Sequence, residues 1–260
     1  MNKTPSASDR QTLDYEYPLS ERVRTYLRIE HLFTLMQPTE LVTPTNYGRY
    51  FSALFAILDL CERSDVRTDL MKDLEKRKQQ LAFWASHPEV DSPALEATRS
   101  QLQKSLSALQ QASRIGSQLK QERLLGSIRQ RFAMSGGTCN FDLPQLHYWL
   151  YQDEGQRQLD MARWWGELAE LAAALDLELH MLREHVPFAE VTASQGLLQE
   201  NTETLALLRL QVPKDIPAFP VVSGHKQRFS VRFMSADPAQ GRASYEQDVT
   251  FYLARCPICQ

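Results

Sequence analysis

Cys256-Pro-Ile-Cys259 has the spacing of half a zinc site. A structural zinc needs four ligands, and no second CxxC or HxxxH lies nearby, so the segment reads as two free thiols unless a second copy of the chain supplies the missing pair. His180 and His185, with Glu178 and Glu184, suggest a metal face. Their histidines stand five residues apart rather than four, and an exposed helix explains them better. His147 is a lone imidazole on a short helix whose Leu143, Leu146 and Leu150 should face inward. The chain contains no nucleophile motif, no phosphate-binding glycine loop and no HExxH. The expectation is therefore a protein that is not an enzyme and needs no metal or cofactor.

The remaining chemistry is electrostatic. The 260 residues carry a formal net charge of −3, which does not describe a general nucleic-acid binder. Two stretches depart from that background. Residues 97–141 hold seven Lys or Arg against one acid, Glu122. On a helical wheel Lys120, Arg123, Ser127 and Arg131 share one face, with Leu124, Leu125, Ile128 and Phe132 on another. Residues 216–236 hold no acid but contain Lys226, Arg228 and Arg232, beside His225. Strand alternation places Arg228 and Arg232 on one surface, with Lys226 joining them if the strand begins early. Solvated faces are the bland reading of both stretches. A shared anionic partner is the sharper one, and charge alone does not separate them. Trp149 suits the rim of a peptide-binding surface, where a large ring offers area at little entropic cost.

Helical periodicity dominates up to about residue 190. A first helix should follow Ser20, a capping residue. A second should start at Thr43-Pro44 and bury Tyr47, Tyr50, Phe51, Leu54, Phe55 and Leu58. A third begins near Ser64, its EKRKQQ surface solvated, and a fourth opens at Ser92-Pro93. The near-heptad Leu95, Leu102, Leu106 and Leu109 suit a helix hairpin or a dimer seam. Gly116 marks a break before a helix through QLKQERLLGSIRQRF. Asp142 to Gln145 reads as a further helix start, and a long helix should span 156–186. After that, LALLRLQV, QRFSVRFM and SYEQDVTFYLARC read as strands, the last two with one packed and one wet face.

The predicted fold class is α+β: a mainly helical N-terminal domain with a C-terminal antiparallel β domain. The expected boundaries are a disordered polar leader over 1–14, a helical domain over 15–190 and a β-strand domain over 191–260. The leader lacks the apolar stretch of a signal peptide, and no run approaches a membrane span, so a cytoplasmic setting with reduced cysteines is expected.

Seven stretches together resemble the ZapD family of division proteins. They are Pro18–Glu30 (PLSERVRTYLRIE), Val66–Leu70 (VRTDL), Arg114–Gly116 (RIG), Ser135–Pro144 (SGGTCNFDLP), Leu146–Leu150 (LHYWL), Val186–Phe188 (VPF) and Ser223–Met234 (SGHKQRFSVRFM). They span nearly the whole chain after the polar leader, in the family's order. The resemblance implies a homodimer with a basic pocket between a helical and a β domain. In the family that pocket holds the C-terminal tail of the tubulin-like protein FtsZ, and two pockets per dimer bridge filaments at the mid-cell ring. Carried over residue by residue, the pocket candidates are Arg123, Lys226, Arg228 and Arg232, with Arg28, Arg131, His147 and Trp149 as weaker ones. Neither nucleic acid nor membrane insertion is expected. The long leader, the terminal CPIC and the loops around 190–220 depart from the family pattern.

The main rival is a polyanion or nucleic-acid binder using the same basic strips, with RFSVRF as a sheet platform. Asp215-Ile-Pro-Ala-Phe219 also looks like the core of the FtsZ tail itself; a proline-rich loop before a strand is the bland reading.

Overall fold

Tyr50, Phe51, Leu54, Phe55 and Leu58 line the buried face of a helix, α2 (Tyr47–Arg63), as their i, i+3, i+4 recurrence requires. The computed structural model in which this is seen describes residues 11–36, 40–84, 92–112, 115–184, 186–225, 227–237, 239, 241 and 243–259. The fold is α+β: helices occupy 21–184 and antiparallel strands follow. The chain divides into two units, Thr25–Leu179 and the segment through Arg24 with His180–Gln260.

The helical unit draws on α1 (Glu21–Met36), α2, α3 (Val66–Trp84), α4 (Ser92–Gln111), α5 (Ser117–Gln121), α6 (Arg123–Phe132), α7 (Pro144–Leu150) and α8 (Glu154–Glu184). Phe51 is the hub of its core. The ring touches Phe55, Phe132, Trp149 and Trp164 at centroid distances of 5.8 to 6.1 Å. Leu102, Leu106 and Leu109 are buried where α4 packs against α3, so the heptad-like spacing serves a helix hairpin within one chain. Arg67 of α3 closes that hairpin by donating to the carbonyls of Leu109 and Gln110, which α4 leaves without partners at its C-terminus.

Three helix starts differ from expectation, each for a local reason. Thr43 and Pro44 form a turn, in which the Asn46 carboxamide accepts from the Thr43 N–H at 2.7 Å, and α2 begins after it. The stretch expected as one helix from 118 to 132 is two, because Glu122 adopts extended φ/ψ and caps α6, accepting from the Leu125 N–H at 2.7 Å. Pro144 opens α7 at its first position, but Asp142 does not cap it; Asp142 faces Arg131 instead.

Among the described residues the β unit contains seven strands. β1 (Thr12–Pro18), β4 (Leu205–Pro213), β7 (Val249–Pro257) and β2 (Ala189–Ala193) form one sheet in the order β1-β4-β7-β2. β3 (Leu197–Asn201), β6 (Arg228–Ser235) and β5 (Ala218–His225) form the second, in the order β3-β6-β5. The two share one core through Phe229, Val231, Phe233, Leu208, Leu210, Phe251 and Leu253. Phe233 and Phe251 meet edge to face at 5.2 Å. Thr12–Asp14, expected within the leader, belong to β1, whose Tyr15 and Tyr17 pack on this core. Glu16 of β1 accepts from Arg183 at 2.6 Å and from Arg209 of β4 at 3.1 Å. Gly196 turns β2 into β3 with φ +71, and a Cβ there would stand 1.9 Å from the Tyr245 carbonyl oxygen.

Asp215–Phe219 is not a free loop. Ile216 packs against the core, the Pro217 carbonyl accepts from the Ala236 N–H at 2.9 Å, and Ala218 and Phe219 open β5. The segment runs directly into a strand, the place that the bland reading gives it.

Candidate functional site

β6 alternates strictly. Phe229, Val231 and Phe233 are buried, which turns Arg228, Ser230, Arg232 and Met234 to the opposite face. Arg228 is exposed, and its side chain makes no hydrogen bond or ion pair with a described residue. Arg232 is exposed and donates weakly to the Ser244 hydroxyl at 3.3 Å. The ladder sets their neighbours. Across from Arg232 stand Val221 on β5 and Leu197 on β3; across from Ser230 stand Ser223, with hydroxyls 3.1 Å apart, and Gln199. Asn201 faces Arg228 on the β3 side, and Phe219 faces Met234. The open face therefore sets two guanidinium groups among polar and apolar side chains, with no carboxylate on β3 or β5 directly opposite Arg228, Ser230, Arg232 or Met234. Phe219 and Val221 are 41% and 48% exposed, large values for such side chains. Lys226, the third basic residue expected here, lies outside the described residues.

The helical unit treats its basic residues differently. Lys120 and Arg129, both in the first basic stretch, are committed to α2. Lys120 Nζ and Arg129 Nη1 each lie 2.9 Å from the same Glu62 oxygen, and Arg129 also binds Asp59. These four side chains border a cleft of roughly 580 Å³ with Phe55, Leu58, Leu119, Leu125 and Phe132 among its apolar lining. Hydrogen bonds from Arg129 and then Lys120 hold the Glu62 carboxyl down at about pKa 2, so it is ionised at neutral pH. Burial pushes the nearby Cys61 thiol up to about 11, which keeps it protonated and unreactive. The cleft is charged but self-neutralised.

Arg123 is placed apart from that network. It opens α6 directly after the break at Glu122, is exposed, and pairs with no described residue. The single basic face of Lys120, Arg123, Ser127 and Arg131 does not form, since Lys120 lies on α5 before the break. Arg131 is exposed, 3.7 Å from Asp142. Arg28 is exposed on α1, and His147 is exposed with its ring 5.0 Å from that of Tyr151.

Trp149 is a correction. It is only 5% exposed, donates from Nε1 to Asp160 at 2.9 Å and packs on Trp164 at 5.2 Å, so it is a core residue with no face for a ligand. His180 pairs with Glu184 at 3.0 Å one turn away, while His185 lies outside the described residues. Cys256 is buried on β7 and Cys259 half-buried beyond it. Among the described residues no three His, Cys, Asp or Glu side chains are grouped to hold a metal.

Sequence reading missed the apolar part of the β face. Phe219 and Val221 were readable only if the proline-containing segment 217–222 was taken as an edge strand, which prolines permit.

The model of the family described as ZapD, "Cell division protein", matches residues 27–232. The chain is 44% identical over 252 residues to the cell division protein ZapD of Idiomarina loihiensis, covering 96% of this chain and 99% of that relative. It is 38% identical over 245 residues to the cell division protein ZapD of Cronobacter sakazakii, covering 93% and 98%. A match of this length, at this identity and with β6 inside it for most of its length, means that the chain belongs to the ZapD family of cell division proteins.

Proposed function

We propose that this chain binds the C-terminal tail of FtsZ and, as a homodimer, cross-links FtsZ filaments in the cytoplasm to stabilise the division ring. Membership of a division-protein family supports the setting. The single observation that carries the contact is the open face of β6, where Arg228 and Arg232 stand unneutralised beside exposed Phe219 and Val221. A tail with carboxylates and apolar side chains matches both halves of that face. Guanidinium groups form charge-assisted, often bidentate bonds to carboxylates, and the apolar rings and branches take up the rest. Arg123, exposed and unpaired on α6, is a further proposed donor to the tail, with Arg28, Arg131 and His147 in lesser roles. Lys226 belongs to the same set by its position in the sequence.

The reading favours a peptide over a general polyanion for a physical reason. Lys120 and Arg129, which the charge count offered to any anion, are already spent on Asp59 and Glu62. What is left is a few separated arginines beside apolar surface rather than a broad positive field. No helix among the described residues is long and apolar enough to cross a membrane. Single contacts of this kind are modest. Two sites on a symmetric dimer facing a filament with many tails gain by effective concentration, which is enough to bundle.

The test is fluorescence anisotropy of a labelled FtsZ tail peptide against wild type and Arg228→Glu at moderate salt, with far-UV circular dichroism to show that both are folded. Saturable binding lost on charge reversal supports the site. Equal binding by both proteins keeps the partner and removes β6. No binding by wild type, with binding to an unrelated polyanion, removes the tail and restores the polyanion reading.

A further inference from the structure

β5 is the last strand of its sheet, and the phase of its ladder follows from one bond. The Ala236 N–H donates to the Pro217 carbonyl at 2.9 Å, and Ala218 pairs with Ser235, so 217 opposite 236 is a hydrogen-bonded position, at which Pro217 accepts and has no N–H to return. Antiparallel pairing alternates, so Phe219, Val221 and Ser223 direct their backbone groups at β6. The backbone groups of Ala218, Pro220, Val222 and Gly224 then point away from β6, toward the side where no described strand pairs.

Exposed edges are ordinarily blunted by charge, proline or a bulge. The sequence of β5, AFPVVSGH, has no Lys, Arg, Asp or Glu, and its one guard is Pro220, whose missing N–H falls on the open edge. The edge therefore remains competent beside the hairpin turn, at Val222 and Gly224, each with an N–H and a carbonyl. Gly224 has no room for a side chain, since a Cβ would stand 2.7 Å from that of Phe229 on the buried face.

We infer that the free edge of β5 takes an extended peptide as an added strand, through backbone bonds at Val222 and Gly224. Side chains on one side of that peptide then lie along the face that holds Phe219, Val221, Arg228 and Arg232. The occupant is a peptide alternating acidic with apolar side chains, and charge complementarity selects it: the whole stretch 216–236 has basic residues and no acid. This rests on the tail-binding reading above and adds the backbone mode and an apolar subsite to it.

The experiment uses the full chain and a set of labelled FtsZ tail peptides, each methylated at a single backbone nitrogen. Strand addition predicts a two-residue rhythm. Methylation at alternate amides lowers affinity about tenfold, the worth of one lost hydrogen bond or slightly more, and methylation at those between leaves it within about twofold. Phe219→Ser with Val221→Ser, both at exposed positions, lowers affinity for the unmethylated peptide while circular dichroism stays unchanged. Wild-type binding with a flat methylation profile overturns strand addition and leaves tail binding standing. Unchanged affinity in the double variant overturns the apolar subsite. No binding of the unmethylated peptide by wild type overturns both this inference and the function it rests on.

Discussion

Arg129 of α6 and Glu62 of α2 are joined by an ion pair of 2.9 Å, and Lys120 of α5 shares the same carboxylate oxygen. That relationship divides the basic residues of the helical unit into spent and available ones. Arg129→Ala is expected to leave the affinity for the FtsZ tail within about twofold, whereas Arg123→Glu lowers it at least about tenfold, or about 1.4 kcal/mol. Titrations by anisotropy at one salt concentration decide it. Equal losses in the two variants would mean that the internal pair opens to receive the ligand.

The same pair sets a pH signature. Hydrogen bonds from Arg129 and Lys120 lower the Glu62 pKa from 4.5 to about 2. Because the folded-state pKa lies below the unfolded one, the carboxylate stabilises the fold fully above about 4.5 and loses that contribution as pH falls toward 2. Urea melts of wild type and Glu62→Gln should differ by a constant amount at neutral and mildly acidic pH. The gap should close between about pH 4.5 and 2. A gap that persists at the lowest pH would show that Glu62 acts through shape and not charge.

What the sequence made legible follows from how far apart the determining residues lie. β6 and β7 announce themselves by alternation within eight or nine residues, and α2 by its own stripe. β2 and β3 have five residues each and show mostly half-wet faces, while β1 mixes Asp14 and Glu16 with its tyrosines, so none of the three carries a strong local signal. β5 was hidden by Pro217 and Pro220, which argue against a strand except at an edge. The commitment of Lys120 and Arg129 depends on Asp59 and Glu62, some sixty residues earlier in the chain, and no local pattern announces such a pairing. Trp149 is a different kind of miss. Leu146, Trp149 and Leu150 stand at i, i+3 and i+4, and that spacing alone marks the tryptophan as inward-facing.

Trp149 accordingly yields a prediction opposite to that of a rim residue. Trp149→Ala removes a ring packed on Phe51 and Trp164 and frees Asp160 of its indole donor. Stability should fall by about 3–5 kcal/mol, the usual cost of deleting a buried aromatic side chain. At a temperature where the variant is folded, tail affinity should be unchanged. Chemical denaturation with parallel anisotropy separates the two effects. A variant that loses affinity while its denaturation midpoint holds would put the ring back at the site.

The helical unit also contains an ion pair buried far more deeply than any of these. Arg77 of α3 donates to both oxygens of Glu178 on α8 at 3.0 to 3.3 Å, with side chains 9% and 6% exposed. Glu178→Ala takes the two-oxygen acceptor away from a desolvated guanidinium, so it should cost about 3–5 kcal/mol in urea denaturation. Replacing both with apolar side chains of similar volume removes the desolvation cost along with the attraction. Arg77→Met with Glu178→Leu should therefore recover most of that loss, or exceed wild type, despite being the larger change. The comparison tells whether the pair is kept for stability. A double variant as unstable as the single one would mean that the two charges hold α3 against α8 by a geometry that apolar packing does not replace.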